Sequence, residues 1–339
     1  MSQHSAKPDP LRDGQNIEGR YYVRKKIGDG AFAEVYSAFD VLTMEPVALK
    51  LLHNDRRRMA ARERRVLHQL GREDHPNVIR LLRYFTAPVP HSDSPLTHIL
   101  SYPLMAGTLL DAIVADRKAN GGKGGLEPTK LAPALRSIVG GMAFLEGHGI
   151  VHMDLKPENI LRARGPPERL VLADFGNATL NIVNDSPYEA QSSWYRAPEV
   201  CLYAKYGPAI DLWSFGCIVY ETETGNALFR ANRCGHLTYL HVRELGRPPP
   251  EYLALAIEDP QHFRRTRDGT IVCTVGAWAK VPRPPRPSPR SPTLRTCKLL
   301  EAVLQWMPTA RVPATQLLEW GEICTGDSKG LDLESAPEQ

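Results

Sequence analysis

Val151-His152-Met153-Asp154-Leu155-Lys156-Pro157-Glu158-Asn159 is followed by Asp174-Phe175-Gly176 and then by Tyr195-Arg196-Ala197-Pro198-Glu199. These separated motifs, in fixed order within one short region, concentrate carboxylates, a lysine and a carboxamide where a reactive centre would need them. Upstream, Gly28-Asp29-Gly30-Ala31-Phe32-Ala33 is glycine-rich, with Ala33 in the third glycine place. Alone that pattern is weak, because Gly-x-Gly-x-x-Gly also marks dinucleotide-binding turns. A helix should follow such a turn, whereas Glu34-Val35-Tyr36-Ser37-Ala38-Phe39 reads as a strand. Two glycines still let a backbone approach phosphate groups closely.

Bulk properties set the frame. The chain has 339 residues, 42% hydrophobic and 24% charged, with a formal net charge of +4. That is ordinary globular composition, long enough for one large domain or two lobes. The small charge gives no argument for nucleic acid. No run of about 18 apolar residues suggests a membrane-spanning helix. The start lacks the apolar core of a secretory signal and a glycine at position 2 for myristoylation. Cysteines at 201, 217, 234, 273, 297 and 324 stand singly, with no Cys-x-x-Cys pair. Free thiols in a reducing compartment are the expectation, hence an intracellular protein, cytoplasmic or nuclear.

Residues 1–18 are polar and aperiodic and are expected to form a disordered tail. Strand-like runs flank the glycine segment and end at Pro46-Val47-Ala48-Leu49-Lys50. An arginine-rich amphipathic helix is predicted over 56–70, with Met59, Val66, Leu67 and Leu70 on its apolar side. His75–Leu81 reads as a turn feeding another strand, and 97–102 as a strand. A flexible Met105-Ala106-Gly107 follows. Beyond it the pattern is helical over 108–117 and 128–148, and Asp211–Tyr220 is apolar all round and therefore buried. Residues 281–292 are basic and proline-rich, incompatible with helix or central strand. Two more helices are predicted near 294–306 and 313–320. The resulting organisation is an N-terminal tail 1–18, a small lobe 19–103, a larger lobe 104–322 carrying the 281–292 insert, and a C-terminal tail 323–339.

The motifs at 151–159, 174–176 and 195–199, together with the glycine loop and the Val47-Ala48-Leu49-Lys50 strand, closely resemble those of the eukaryotic protein kinases of serine/threonine type. The resemblance covers roughly residues 20–320. It implies an α+β, bilobal kinase fold, with a β-rich small lobe carrying one helix and a larger helical lobe, and ATP–Mg²⁺ in the cleft between them. By the same resemblance Asp154 is the catalytic base, and Lys156 offsets charge on the moving phosphoryl group. Lys50 contacts the α- and β-phosphates and is held by Glu63; an intrahelical pair of Glu63 with a neighbouring arginine is the alternative. Asn159 and Asp174 are the expected Mg²⁺ ligands, hard oxygen donors suited to that cation. Gly28 and Gly30 would cover the phosphates. Ile27, Val35, Ala48, Leu161 and Ala173 would sandwich the adenine, although plain core packing fits these positions too. Ser101 falls at the innermost position of the pocket, and Tyr102 to Leu104 would offer backbone hydrogen bonds to the adenine edge. Glu199 with Arg311, and Asp211 with the catalytic loop, would be scaffold contacts.

Gln191–Glu199 and the His236-Leu237…Leu245-Gly246-Arg247-Pro248-Pro249 stretch are most similar to the CMGC group, in particular its CDC-like, SR-protein and dual-specificity tyrosine-regulated members. Three positions depart from that group. Met153 replaces the arginine before the catalytic aspartate, Ser193 replaces another arginine, and Glu189 stands where a regulatory tyrosine is usual, beside Tyr188. These changes weaken the case for phosphate-dependent switching and point to a constitutively ordered segment, with Tyr188 as the alternative phosphosite. The expected activity is transfer of the γ-phosphoryl of ATP to serine or threonine hydroxyls of protein substrates. A nucleotide-binding pseudokinase scaffold and a dual-specificity kinase with tyrosine autophosphorylation are the rivals. Neither nucleic acid nor membrane is expected as partner, and oligomeric state is not legible.

Overall fold

In the computed structural model the described residues are 9–30, 33–53, 57–71, 73–90, 95–166, 168–180, 190–202, 204–253, 263–265, 271–273 and 294–320. Tyr188, Glu189, Arg56, the 281–292 insert and the tail 323–339 lie outside them.

The first half of the fold is one antiparallel sheet of β1 (Asn16–Ile17), β2 (Tyr21–Asp29), β3 (Ala33–Asp40), β4 (Glu45–Leu52), β5 (Arg83–Ala87) and β6 (Thr97–Pro103), in spatial order β1-β2-β3-β4-β6-β5. Alternation drives it: Tyr21 and Val23 are buried while Tyr22 and Arg24 are exposed. One face packs a small core of Tyr21, Val23, Tyr36, Leu49, Phe85 and Ile99. The other faces α1 (Arg57–Leu70), whose Ala60, Val66, Leu67 and Leu70 are buried in the main core. A bidentate Arg20–Asp40 pair, 2.8 and 2.6 Å, closes the outer end of the sheet.

The structure corrects the expected tail in part. Residues from Asp9 onward lie against the sheet, with Leu11 and Ile17 buried and the Gly14 N–H donating to the Val23 carbonyl at 3.0 Å. Two apolar side chains and edge pairing with β2 suffice to order a segment whose composition is otherwise polar.

After β6 the chain becomes helical: β7 (Gly107–Thr108), α2 (Leu109–Ala119), α3 (Pro128–Gly147), β8 (Ile150–Val151), β9 (Ile160–Arg162), β10 (Leu170–Leu172), β11 (Thr179–Leu180), α4 (Pro198–Cys201), α5 (Ala209–Thr224), α6 (Cys234–Leu245), α7 (Pro250–Leu253), α8 (Leu294–Val303) and α9 (Ala314–Leu317). The α2 start is fixed by a capping box, Thr108 and Asp111 each accepting the other's backbone N–H. Helix α5 is buried on nearly every side, as its apolar sequence demands, with α8 and α3 packed against it. Two short antiparallel pairs, β8 with β11 and β9 with β10, carry the 151–180 motifs to the boundary with the sheet. Among the described residues no helix is long and apolar enough to cross a membrane.

Candidate active site

Between the sheet and the helical region lies a cavity of about 530 Å³. Ile27, Gly28, Val35 and Ala48 line it from the sheet, Leu161 and Ala173 from below, and Tyr102 to Gly107 along the connection. Its polar wall holds Lys50, Glu63, Asn159 and Asp174. A Cβ added at Gly28 would meet only Val35, at ordinary contact distance. The bare backbone there is therefore not required by protein packing, and leaves space on the cavity side.

Lys50 is the electrostatic centre of that wall. Its ammonium donates to Glu63 Oε1 at 2.9 Å, to Glu63 Oε2 at 2.8 Å and to Asp174 Oδ1 at 2.8 Å. Burial by itself would push the lysine's pKa down; the two carboxylates outweigh it and raise it. Asp174 moves the opposite way: burial is overcome by Lys50, and its pKa is lowered. Asp174 is also one of the few non-glycine residues in left-handed backbone conformation, at φ 62°, with Met153 at 66° and Gln191 at 64°. Strained backbone gathered around one centre is typical of functional loops.

Asp154 is held from four directions. Its Oδ1 accepts the Ser192 N–H at 3.1 Å and the Ser192 hydroxyl at 2.7 Å, and its Oδ2 accepts from Asn159 Nδ2 at 3.2 Å. The Lys156 ammonium stands 3.3 Å from Oδ2 and donates to Ser192 Oγ at 2.9 Å. The loop carrying these groups is itself fixed from below. Asp211, on α5, accepts the backbone N–H of His152 at 2.6 Å and of Met153 at 3.0 Å. The buried His152 ring donates from Nε2 to the Ala173 carbonyl at 2.9 Å, leaving Nδ1 to accept the Asp154 N–H. Phe175 packs against that ring with centroids 4.9 Å apart.

The structure thus gathers Lys50, Glu63, Asp154, Lys156, Asn159 and Asp174 at one end of the cavity, with Asp154 and Lys156 just beyond its lining. Ile27, Gly28, Val35, Ala48, Leu104, Leu161 and Ala173 form its walls, while Gly30, at the hairpin tip, is not among the lining residues. Ser101 is corrected. It is fully buried, pairs with Leu49, and stays out of the cavity, whereas Tyr102, opposite Ala48, lines it. Side chains alternate along a strand, so a slip of one residue exchanges the two faces. Ser192 is a site residue without a role in the sequence reading. It sits in the quoted Gln191–Glu199 run, but nothing in a Ser-Ser pair says which hydroxyl faces Asp154 and Lys156.

Among the described residues no three His, Cys, Asp or Glu side chains are grouped to enclose a metal ion. Mg²⁺ commonly binds through one or two protein oxygens and completes its shell with phosphate and water. Asp174 and Asn159 are oxygen donors of that kind. The Asn159 amide nitrogen is spent on Asp154, on its backbone carbonyl at 2.8 Å and on Oδ2, which leaves the carboxamide oxygen for another partner.

Comparison with known proteins agrees with this geometry. The family model described as "Protein kinase domain" matches residues 21–320. Dual specificity tyrosine-phosphorylation-regulated kinase 3 of Mus musculus is 30% identical over 94% of this chain and 56% of its own length. Its putative Drosophila melanogaster homolog is 31% identical over 90% of this chain and 38% of its own. Mitogen-activated protein kinase 9 of Arabidopsis thaliana is 33% identical over 69% of this chain and 46% of its own. The chain spans about half the length of the curated relatives it matches. It belongs to the eukaryotic protein kinase family and is CMGC-like within it.

Proposed function

We propose that the chain transfers the γ-phosphoryl of ATP, with Mg²⁺, to serine or threonine hydroxyls of protein substrates inside the cell. The observation that carries this reading is the clamped Asp154 carboxylate, next to Lys156 and to Asn159, which shares the cavity wall with the Lys50–Asp174 pair. Asp154 accepts the proton of the attacking hydroxyl, and its fixed orientation removes the entropy of finding that geometry. Lys50 and Lys156 neutralise charge on the phosphate oxygens, with no covalent intermediate on the protein. Bound Mg²⁺ would supply further neutralisation of the phosphates, held by Asp174 and Asn159.

Serine/threonine acceptors are what the resemblance of Lys156, two residues after Asp154, to the serine/threonine form of this loop implies, and Lys156 reaches Ser192 Oγ at 2.9 Å beside Asp154. The dual specificity in the mouse relative's name is the second reading, and phosphotyrosine on the purified chain would favour it. Retention of Lys50, Glu63, Asp154, Asn159 and Asp174 speaks against a scaffold without turnover.

The test is transfer of labelled phosphate from ATP and Mg²⁺ to a peptide library, comparing wild type with Asp154→Ala. The expected loss is about 10²–10⁴-fold. Nucleotide binding without transfer by either protein would contradict the proposal.

A further inference from the structure

Tyr102 closes the inner end of the cavity, and its phenol does more than fill space. It is buried, and its O–H donates to Glu63 Oε1 at 2.8 Å. Burial first, then the Glu63 charge, raises its pKa well above the ordinary phenol value, so the hydroxyl stays a donor. Glu63 is only 1% exposed. Its Oε1 therefore has two donors, Lys50 and Tyr102, while Oε2 has Lys50.

All three N–H groups of Lys50 are spent on carboxylates, two on Glu63 and one on Asp174. To meet both the α- and β-phosphates the ammonium must release two of them, the exposed Asp174 first and then one Glu63 oxygen. Releasing Oε1 would strand a buried carboxylate oxygen, a penalty large enough to drive Glu63 and helix α1 outward. The Tyr102 hydroxyl removes that penalty, because Oε1 keeps a charge-assisted hydrogen bond whichever way Lys50 turns. A phenylalanine would pack equally well at this position and would not do so.

We propose that Tyr102 is a positioning residue that latches Glu63, and with it α1, while Lys50 is free to engage the nucleotide. The proposal rests on the kinase reading above. Its test measures kcat, KM for ATP and melting temperature of the full chain with Mg²⁺–ATP and the peptide library. The variants are Tyr102→Phe, Glu63→Gln and the two combined. Tyr102→Phe is expected to lower kcat about tenfold with little change in melting temperature. The double variant is expected to be no slower than Glu63→Gln alone, since the hydroxyl acts through that carboxylate. Tyr102→Met, apolar and without a donor, must reproduce the loss. Wild-type turnover in either Tyr102 variant, or losses that multiply in the double variant, would overturn the proposal. If Tyr102→Phe melts well below wild type, hydrogen exchange decides. Faster exchange confined to 57–70 supports the latch, and uniformly faster exchange refutes it. Absence of transfer by the wild type would defeat the kinase reading separately, and the same exchange comparison would still judge the latch.

Discussion

Two buried ion pairs tie separate elements of this chain together, and they are built differently. Lys50–Glu63 joins β4 to α1 at the cavity; Arg311–Glu199 joins the turn before α9 to α4, away from it. Both carboxylates are 1% exposed, but Lys50 is 13% exposed and Arg311 is sealed at 0%. Arg311 is consumed by its surroundings. It donates to Glu199 Oε1 and Oε2 at 2.6 and 2.7 Å, to the Ala209 carbonyl at 2.8 Å and to the Gln305 carbonyl at 3.0 Å. Its guanidinium also lies 5.2 Å from the centre of the Trp213 ring. A planar fork with fixed partners holds one geometry permanently. Lysine is a point charge on a flexible stem, and one of its partners, Asp174, is 45% exposed and replaceable. Burial of an ion pair therefore does not by itself decide what the pair is for. The arginine pair is suited to holding the fold, the lysine pair to redirecting charge.

The largest stability effect is expected at the arginine. Arg311→Met leaves the Glu199 charge buried without its partner and should destabilise the chain by about 3–5 kcal/mol in urea unfolding. Adding Glu199→Leu should recover much of that loss, because the stranded charge goes with it. A single variant within about 1 kcal/mol of wild type would break the comparison.

A smaller effect is expected next door, at His241. Its ring is packed against Trp213, Phe229 and Trp306, and neither nitrogen has a hydrogen-bond partner among the described residues. Burial, with the Arg311 charge adding to it, lowers its pKa from 6.5 to about 3. The unfolded chain therefore takes up a proton at a higher pH than the folded one, and stability falls as pH drops from 6.5 toward 3. Between pH 6.5 and 5 the loss should be about 2 kcal/mol. His241→Leu should remove that dependence, and an unchanged pH slope in this variant would show that the ring is not its source.

Much of this is legible in the sequence, for physical reasons that also explain what is not. Lys50, Asp154, Asn159 and Asp174 are singled out by motifs that resemble the family's, and the structure brings Lys50, Asn159 and Asp174 to one cavity wall, with Asp154 hydrogen-bonded to Asn159. The Glu63, Glu199–Arg311 and Asp211 contacts come from the family resemblance, and Glu63 meets Lys50 rather than a neighbouring arginine. Ser101 is misplaced by sequence because strand facing depends on a register that flips with one residue. The Tyr102 hydroxyl is invisible there, since its partner comes from 39 positions away on another element. The Asp9–Ile17 segment looks like a tail because pairing with a sheet edge leaves almost no compositional trace.

The most direct test of the division between the two pairs is to measure turnover and melting temperature on the same preparations of Glu63→Gln and Arg311→Met. Glu63→Gln should lose about 10²-fold in turnover through misplacement of Lys50, while its melting temperature stays close to wild type because Lys50 keeps Asp174. Arg311→Met should melt markedly lower. At a temperature where it is fully folded, it should turn over within a few-fold of wild type. If Glu63→Gln melted as low as Arg311→Met and kept its turnover, the assignment of one pair to chemistry and the other to the fold would be wrong.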